Sequence, residues 1–538
     1  MLSAVSTITE ADMTSKRYEN VESTMSAVRR NAFQHHIERA TIARLLIATF
    51  SLVSLLAGAL MWIANGTPRS PERNGLLFGP SARFSDLHDL IAAGLSGFPY
   101  GQVIDGVATT GPSYPPGLFA VTRALGGFSE FSAQRLLIVT TGLAVAVLSG
   151  PILCAAFGRR ERLIAGTIGF TSTLLCALTL DWYCAVLMGA AAVLLLLVAV
   201  SFKRERALMV IGLPILLGSS FPIVFALDRM NADILILQLM TVALYTLRRG
   251  HGNVAAIAFG TAIALKIYPV YFAIADFRDR GRVVRLLVAA TSGVTITIVG
   301  LLTMDYPLRD AIDGFNRSVI YFEQNYIIAS SGMPFGASLL SAARILYRGL
   351  GHTDVNAFTA SIYPAWKMWS PVLLGLLAAS TVFLRTAPWC RLMVMTCALI
   401  VLSPNTGMYR VSMLLVPVAM WMGHLGLMSL RGRATRLELL LGGIIGIGLA
   451  PLTFWEVMGF EPTVNITSQT LLAPFVYLAI VVVSMVVGLQ ERNIIFGRVP
   501  QKDVGSSVIP PEPQSSSETS AASESGLTPT PDRFTRFH

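Results

Sequence analysis

Charged residues are scarce in this chain: they make up 13% of its 538 residues, whereas hydrophobic residues make up 53%. A water-soluble protein of this length would expose much more charge than that. Apolar runs of close to twenty residues recur along most of the sequence, and each is long enough to cross about 30 Å of hydrocarbon. The composition therefore predicts an all-α polytopic membrane protein rather than a membrane barrel, which would need short alternating segments.

Cysteine is also rare. The five cysteines all lie in or beside apolar runs, and no CxxC spacing occurs among them. This pattern argues against both a zinc site and a disulfide framework. The cysteines are Cys154, Cys176, Cys184, Cys390 and Cys397.

A basic face suited to nucleic acid is missing as well, although the net charge is +10. The basic residues form short clusters between apolar runs, such as Arg159-Arg160 and Arg248-Arg249, without interleaved aromatics. Clusters of this kind mark cytoplasmic loops under the positive-inside rule. We therefore expect membrane lipids, and no nucleic acid, as partners.

The apolar runs predict about 12–14 transmembrane segments within one domain, residues 43–490. Residues 1–42 should form a cytoplasmic segment, and no apolar stretch within them resembles a cleavable signal peptide. Residues 491–538, rich in Ser, Pro, Thr and Glu, should form a disordered cytoplasmic tail. Two long polar loops, 66–134 and 305–368, should lie on the outer side and carry amphipathic helices.

One apolar run, 254–278, has basic residues at both ends. A hairpin of two short helices would keep both ends in the cytoplasm, with its turn near Tyr268-Pro269, because proline disfavours helix at the residue before it. Broken backbone at membrane depth is tolerated where it lines a cavity. Lys266 in this turn would meet an anion such as phosphate there, or would simply extend its ammonium to the surface.

Three titratable residues, Asp86, His88 and Asp89, follow the first predicted span. A carboxylate at Asp86, with Asp89 as the second candidate, could take a proton from an acceptor hydroxyl. The alternative is that Asp86 is a helix cap or a solvated loop acid. Two acids and one histidine are weak grounds for a metal site, so we expect none.

Two further polar groups interrupt apolar sequence on the predicted outer side. The first is Asp228, Arg229, Asn231 and Asp233, which forms either a binding site or a plain turn. The second follows Ser403-Pro404, where Arg410 could make a forked contact to phosphate or belong to a tight polar turn. An acid, a lysine and an arginine on one side predict a site for an anionic lipid headgroup and a hydroxyl acceptor.

The order of these motifs resembles that of the GT-C-fold glycosyltransferases, in particular the polyprenyl-phosphate-sugar-dependent, mannosyltransferase-like group. The resemblance extends over roughly residues 43–490. It is carried by an acid followed by an aromatic-Pro-Tyr element, a YPP element, an Asn-x-Asp element, a Lys-x-Tyr-Pro hairpin and a late Ser-Pro turn. In this sequence these are Asp86 with Phe98-Pro99-Tyr100, Tyr114-Pro115-Pro116, Asn231-Ala232-Asp233, Lys266-Ile267-Tyr268-Pro269 and Ser403-Pro404.

The resemblance implies an inverting, metal-independent transferase without a cofactor, acting at the outer face of a bacterial plasma membrane. Its donor would be a polyprenyl-phosphate sugar, and its acceptor a glycan or glycolipid. Asp86 is implied as the base, and Lys266, Arg410 and Tyr268 would hold the donor phosphate. The residues expected to bind substrate are His88, Tyr100, Tyr114, Asp228, Asn231 and Asp233.

Two other functions remain open at this point. A transporter or lipid flippase should show two repeated halves, and no internal repeat is evident in the sequence. A polymer ligase of the same architecture would keep the cationic pair and would need no acid in the first loop.

Overall fold

The fold is described by a computed structural model. It describes residues 41–63, 84–96, 99–100, 103–104, 107–108, 114–180, 183–201, 204–276, 281–305, 307–329, 336–404, 406–427, 435–454, 456–461 and 464–496. The chain divides into two units, 1–493 and 494–538. Nearly all of the described residues belong to the first unit, and the predicted N-terminal segment to residue 40 and the tail from residue 497 lie outside them.

Helices make up most of the described chain. The first half contains α1 (Thr41–Ile63), α2 (Ser85–Leu95), α3 (Pro116–Gly126), α4 (Glu130–Val147), α5 (Arg159–Leu178), α6 (Tyr183–Val200), α7 (Glu205–Ala207), α8 (Leu213–Ser219), α9 (Phe221–Arg229), α10 (Asp233–Arg248), α11 (Gly252–Leu265) and α12 (Val270–Asp276). The second half contains α13 (Arg282–Leu302), α14 (Leu308–Phe322), α15 (Leu339–Gly349), α16 (Val355–Phe383), α17 (Pro388–Leu402), α18 (Leu415–Leu427), α19 (Arg436–Leu449) and α20 (Ser468–Phe496).

Two short antiparallel hairpins accompany the helices. Strands β1 (Val103–Ile104) and β2 (Val107–Ala108) pair within the first long loop. Strands β3 (Glu456–Glu461) and β4 (Val464–Thr467) pair between α19 and α20. Neither hairpin supplies a sheet on which a domain core could be built, so the all-α architecture predicted from the sequence is confirmed.

Six of the described helical segments are long and apolar enough to cross a membrane, and three shorter apolar helices accompany them. The long segments are Thr41–Ile63, Glu130–Leu153, Glu205–Arg229, Arg282–Leu302, Val355–Phe383 and Ser468–Gln490. In the most apolar window of Glu205–Arg229, 83% of the residues are buried, against 17% for Arg282–Leu302. Glu205–Arg229 therefore lies centrally in the bundle. In contrast, α13 presents leucine and valine side chains outward, as a lipid-facing helix does.

Several spans are irregular where the sequence places proline. A π-helical turn continues α4 over Leu148–Leu153 and contains Pro151. Another π-helical turn, Leu208–Gly212, precedes α8, which has Pro214 in its first turn. Proline removes a backbone donor, so the helix must locally widen or bend at these points.

The predicted break within residues 254–278 is present, and it separates α11 from α12. Lys266 leaves the helical region with φ −151° and ψ 135°, and this extended residue ends α11. α11 packs against α10 and α13, and α12 packs against α16 and α17. The turn between α11 and α12 is thus surrounded by protein, as broken backbone in an apolar environment requires.

Close helix packing fixes the first long loop on this frame. α3 lies against α13, and α2 lies against α3. A Cβ added at Gly300 of α13 would overlap the carbonyl oxygen of Pro116, and one at Gly117 would come within 2.7 Å of the Ala264 carbonyl oxygen. Only glycine permits backbones to approach this closely. Gly300 therefore sets the distance between α3 and α13, and Gly117 sets that between α3 and the end of α11.

The second long loop contains α14, a π-helical turn (Glu323–Ile328) and α15. α14 is amphipathic, with Ala311 and Ser318 buried and Ile312 and Ile320 exposed. The loop returns to the bundle where Gly336 forms an antiparallel bridge with Gly407. This contact brings the second loop onto the segment that follows α17.

Candidate functional site

Five chain segments meet at one end of the bundle. They are the first turn of α2, Tyr114 just before α3, the bend between α9 and α10, the turn after α11, and the 3₁₀ segment Met408–Leu414 after α17. The 3₁₀ segment packs on both α9 and α10. Each segment ends or begins a helix here, so polar backbone and side-chain groups collect at this place.

The bend between α9 and α10 is short because its first residue adopts a left-handed conformation. Met230 has φ 48° and ψ 40°, and its N–H bonds to the Ala226 carbonyl oxygen to close α9. The Asn231 side-chain oxygen then accepts from the Asp233 N–H at 3.2 Å. This local bond turns Asn231 and Asp233 toward the same interior space, as Asx turns do.

Lys266 lies at the centre of the buried network. Its Nζ donates to Asp233 Oδ2 at 2.6 Å and to Asn231 Oδ1 at 2.9 Å. The Tyr268 hydroxyl donates to the other Asp233 oxygen. The Asp233 side chain is 0% exposed and that of Lys266 is 9% exposed. Both charges are therefore compensated inside the protein, and Asp233 is covered from solvent.

Asp86 joins the same network from α2. Its Oδ2 accepts from Asn231 Nδ2 at 2.6 Å, and its Oδ1 pairs with Arg229 Nη2 at 2.5 Å. The Asp86 side chain remains 13% exposed. The helix-cap interpretation of Asp86 is not observed, because residue 84 occupies the cap position of α2 and no side-chain hydrogen bond caps it. Of the two aspartates bonded to Asn231, only Asp86 can be reached from outside.

Aromatic rings enclose the two cations. The ring centroids of Tyr114 and Tyr409 each lie 5.3 Å from Lys266 Nζ, and the guanidinium carbon of Arg410 lies 4.5 Å from the Tyr268 centroid. Cations over aromatic faces at these distances are attracted by the ring quadrupole. Each cation is therefore packed against at least one aromatic ring, which limits its contact with bulk water.

Arg410 retains donors for a ligand. Its Nη1 donates to Ser403 Oγ at 3.2 Å and to Thr406 Oγ1 at 3.4 Å. Its Nε is buried and has no hydrogen-bond partner among the described residues. A guanidinium with open donors beside an ammonium is suited to bind a phosphate oxygen.

Tyr114 stays neutral in this position. Burial first, and then the negative charge of Asp86, raises the pKa of Tyr114 well above its usual value. Its hydroxyl oxygen accepts from Asn231 Nδ2 at 3.2 Å, which links α3 to the bend between α9 and α10. Tyr114 therefore acts as a neutral wall of the site.

Tyr100 and Asp228 lie behind the network. Tyr100 is buried, donates its hydroxyl to the Tyr114 carbonyl oxygen at 2.9 Å and packs on Phe119 and Phe315. Asp228 is 0% exposed, and its backbone carbonyl accepts from the N–H of residue 84. From the sequence, Tyr100 and Asp228 are predicted to bind substrate directly. In the structure Tyr100 supports the segment that carries Tyr114, and Asp228 supports the start of the helix that carries Asp86.

His88 and Asp89 are exposed on α2, away from the Asp86 carboxylate that turns inward. The Nδ1 atom of His88 lies 3.2 Å from Glu130 Oε2, and its side chain is 64% exposed. Within the described part of the chain, no group of three or more His, Cys, Asp or Glu side chains is arranged to hold a metal ion.

Arg229 and Tyr409 have roles in the site that were not predicted from the sequence, although Arg229 was named in a candidate polar group. Arg229 holds Asp86, and Tyr409 packs against Lys266 and stacks on Phe225. Their positions in the sequence gave a signal, because Arg229 lies in the same polar interruption as Asn231 and Tyr409 directly precedes Arg410. Residue type alone could not distinguish a partner of Asp86 from a solvated turn residue.

The arrangement can perform acid–base chemistry next to a bound anion. It combines a partly accessible carboxylate, two adjacent cations and neutral aromatic walls. Such a site can take a proton from a hydroxyl at Asp86 while the cations stabilise negative charge on a departing phosphate.

Comparison with known proteins gives one family. Residues 170–404 match Glycosyltransferase family 87, a GT-C-type membrane glycosyltransferase family. None of the curated proteins matches the chain. Over these residues the match supports the resemblance to GT-C-type membrane glycosyltransferases. It includes Asn231, Asp233 and Lys266, whereas Asp86 and Arg410 lie on either side of it.

Proposed function

We propose that this GT-C-type membrane glycosyltransferase moves a mannose-like hexose from a polyprenyl-phosphate donor to a hydroxyl of a lipid-linked or polymeric glycan acceptor. One observation carries the proposal. The accessible carboxylate of Asp86 is joined through Asn231 to Lys266, at 2.6 Å and 2.9 Å. A base and a cation for the leaving group are therefore held in one rigid network.

The donor phosphate would bind between Lys266 and Arg410. Lys266 has three donors, two of which Asp233 and Asn231 occupy. Its third donor and the open donors of Arg410 would bind phosphate oxygens, with Tyr268 positioning Arg410 by ring contact. The isoprenoid chain of the donor would lie in the bilayer along the apolar surface of the bundle.

The reaction would be a single inverting displacement. The acceptor oxygen attacks the anomeric carbon from the face opposite the phosphate, and the carbon–oxygen bond to the phosphate breaks. Asp86 takes the proton of the acceptor hydroxyl, and the polyprenyl phosphate departs with the electron pair. Negative charge grows on the phosphate during this step, so Lys266 and Arg410 stabilise the transition state more than the ground state. The two cations supply this stabilisation without a metal ion.

The site would face outward from a bacterial plasma membrane. The basic clusters place the opposite ends of the spans in the cytoplasm under the positive-inside rule. Nucleotide sugars do not cross membranes, so a transferase on the outer face needs a donor that is anchored in the bilayer.

The test is a transfer assay with purified protein and radiolabelled polyprenyl-phosphate mannose, comparing Asp86→Asn with Asp89→Asn. Loss of a general base lowers kcat by about 10²- to 10⁴-fold, and donor binding, measured by quenching with a fluorescent donor analogue, should persist. Asp89→Asn is the matched control, since Asp89 is exposed on the same helix. Activity in Asp86→Asn equal to that of the control would refute the base role, and sensitivity to EDTA would refute the metal-independent mechanism.

A further inference from the structure

A second buried cation lies outside the site described above. Arg344 on α15 is 0% exposed. Its Nε donates to Thr359 Oγ1 at 2.9 Å, whereas its buried Nη2 has no hydrogen-bond partner among the described residues. Since a guanidinium carries five donors in a fixed fork, Arg344 is left with donors that the described chain does not satisfy.

Arg344 also lacks a counter-charge on the elements packed around it. α15 contains no acidic residue. At the N-cap of α16, Asp354 accepts from the Ala357 N–H at 2.8 Å. On the π-helical turn after α14, Glu323 pairs with Lys367 at 2.5 Å. Burial lowers the pKa of Arg344 to about 10, so the side chain is still charged at neutral pH. A buried, charged arginine that has no acidic partner within the described part of the chain calls for an anion.

The position of α15 relates this cation to the transferase site. The cap residue of α15, Ser338, contacts the Pro404 carbonyl oxygen at 3.2 Å, and the Ala337 N–H donates to the Thr406 carbonyl oxygen at 2.7 Å. Arg344 lies six residues beyond Ser338, which is about 9 Å along the helix axis. The segment that carries Arg410 and the helix that carries Arg344 are therefore joined by direct hydrogen bonds.

We propose that Arg344 binds an oxyanion of the acceptor, a phosphate or carboxylate group, and so selects anionic acceptors. The role of the acceptor rests on the proposed function, whereas the anion site itself does not. The forked guanidinium matches two oxygens of either group. Because the side chain is fully covered in this structure, the anion reaches it by displacing part of the contact between α15 and α16.

The experiment measures anion binding without glycosyl transfer. Thermal unfolding of the full chain in detergent is followed against sodium pyrophosphate, with sodium chloride at matched ionic strength as the reference. All variants carry Arg410→Gln, which weakens the proposed donor-phosphate site. Arg344→Met is compared with Arg348→Met, a control in which an exposed arginine of the same helix is removed.

The expected result is a saturable rise in Tm with pyrophosphate in the parent and in Arg348→Met. In Arg344→Met the apparent Kd should rise at least about tenfold, which corresponds to about 1.4 kcal/mol. Titration with sodium glucuronate distinguishes the two sources: a tighter response to glucuronate assigns the site to a carboxylate, and a tighter response to pyrophosphate assigns it to a phosphate.

An unchanged pyrophosphate response in Arg344→Met, or no response in the parent, would overturn the proposal. Arg344→Met should fold, because an apolar chain of similar length replaces a buried charge. If Arg344→Met does not fold, Arg344→Lys is tested instead, since lysine keeps the positive charge and lacks the forked guanidinium. A weakened pyrophosphate response in Arg344→Lys supports the anion site, and an unchanged response refutes it. Failure of the Asp86 test would leave these results unaffected, so the two proposals can be refuted separately.

Discussion

The ion pair between Lys266 and Asp233 should be the most sensitive point of the molecule to substitution. Lys266→Met removes the ammonium and leaves the Asp233 carboxylate 0% exposed, with the Tyr268 hydroxyl as its remaining hydrogen-bond donor among the described residues. Removing one partner of a buried pair costs about 3–5 kcal/mol, because the other charge stays buried without compensation. We expect a loss of unfolding free energy in this range, together with loss of transfer activity.

A second substitution should recover most of that stability. In Lys266→Met/Asp233→Asn both members of the pair are neutral, and the asparagine oxygen can still accept from Tyr268. The double variant should therefore be more stable than the single variant by about 2 kcal/mol or more, since contacting residues do not act additively. Its activity should stay lost, because the cation that we propose to bind the donor phosphate is absent from both proteins.

The matched control is the pair of Lys367 with Glu323. Its Nζ–Oε1 distance is 2.5 Å, but its side chains are 59% and 22% exposed. Exposed pairs contribute about 0–1 kcal/mol, so Lys367→Met should change stability by no more than that. The assay is equilibrium unfolding in mixed micelles, followed by circular dichroism. Equal losses in Lys266→Met and Lys367→Met would refute the reasoning, because burial would then not decide the cost.

Two further substitutions test how the site is held. Arg229→Gln removes a charged partner of Asp86 at 2.5 Å, and such a bond contributes about 1.5–3 kcal/mol. We therefore expect kcat to fall about tenfold or more with the donor KM unchanged, and Arg229→Lys to recover part of the lost kcat. A rise in KM with no change in kcat would contradict an orienting role for Arg229. Gly300→Ala places a methyl group against the Pro116 carbonyl oxygen and should destabilise the fold by about 1–3 kcal/mol, as measured by the same unfolding assay. Gly375→Ala is the control for Gly300→Ala, since an added Cβ at Gly375 meets nothing within 4 Å. Equal stability of the two alanine variants would show that α3 and α13 are not closely packed.

Much of the architecture could be predicted because apolar length and charge placement are properties of the sequence itself. The break after α11 followed from Pro269 and from the basic residues at both ends of the run, and it lies at Lys266 as expected. The start of α3 followed from Pro115-Pro116, since proline suits the first helical turn, and the helix begins at Pro116.

The membership of the site was predictable in part. Asp86, Asn231, Asp233, Lys266, Tyr268 and Arg410 are brought together from four segments far apart in the sequence. The sequence did not show which of the two aspartates points inward, because Asp86 and Asp89 lie within one turn of the same helix. The choice depends on which face of α2 packs against α9. The partnership of Arg229 with Asp86 likewise depends on the left-handed residue Met230, and a methionine gives little signal of such a conformation.

The bridge between Gly336 and Gly407 ties two long-separated parts of the chain together. It is reinforced by the hydrogen bonds from Ala337 and Ser338 to the backbone around Pro404 and Thr406. An outward swing of α15 would break these links or drag Arg410 with it. A displacement of α15 that exposes Arg344 would therefore also change the position of Arg410, so that the surroundings of the two cations are mechanically coupled.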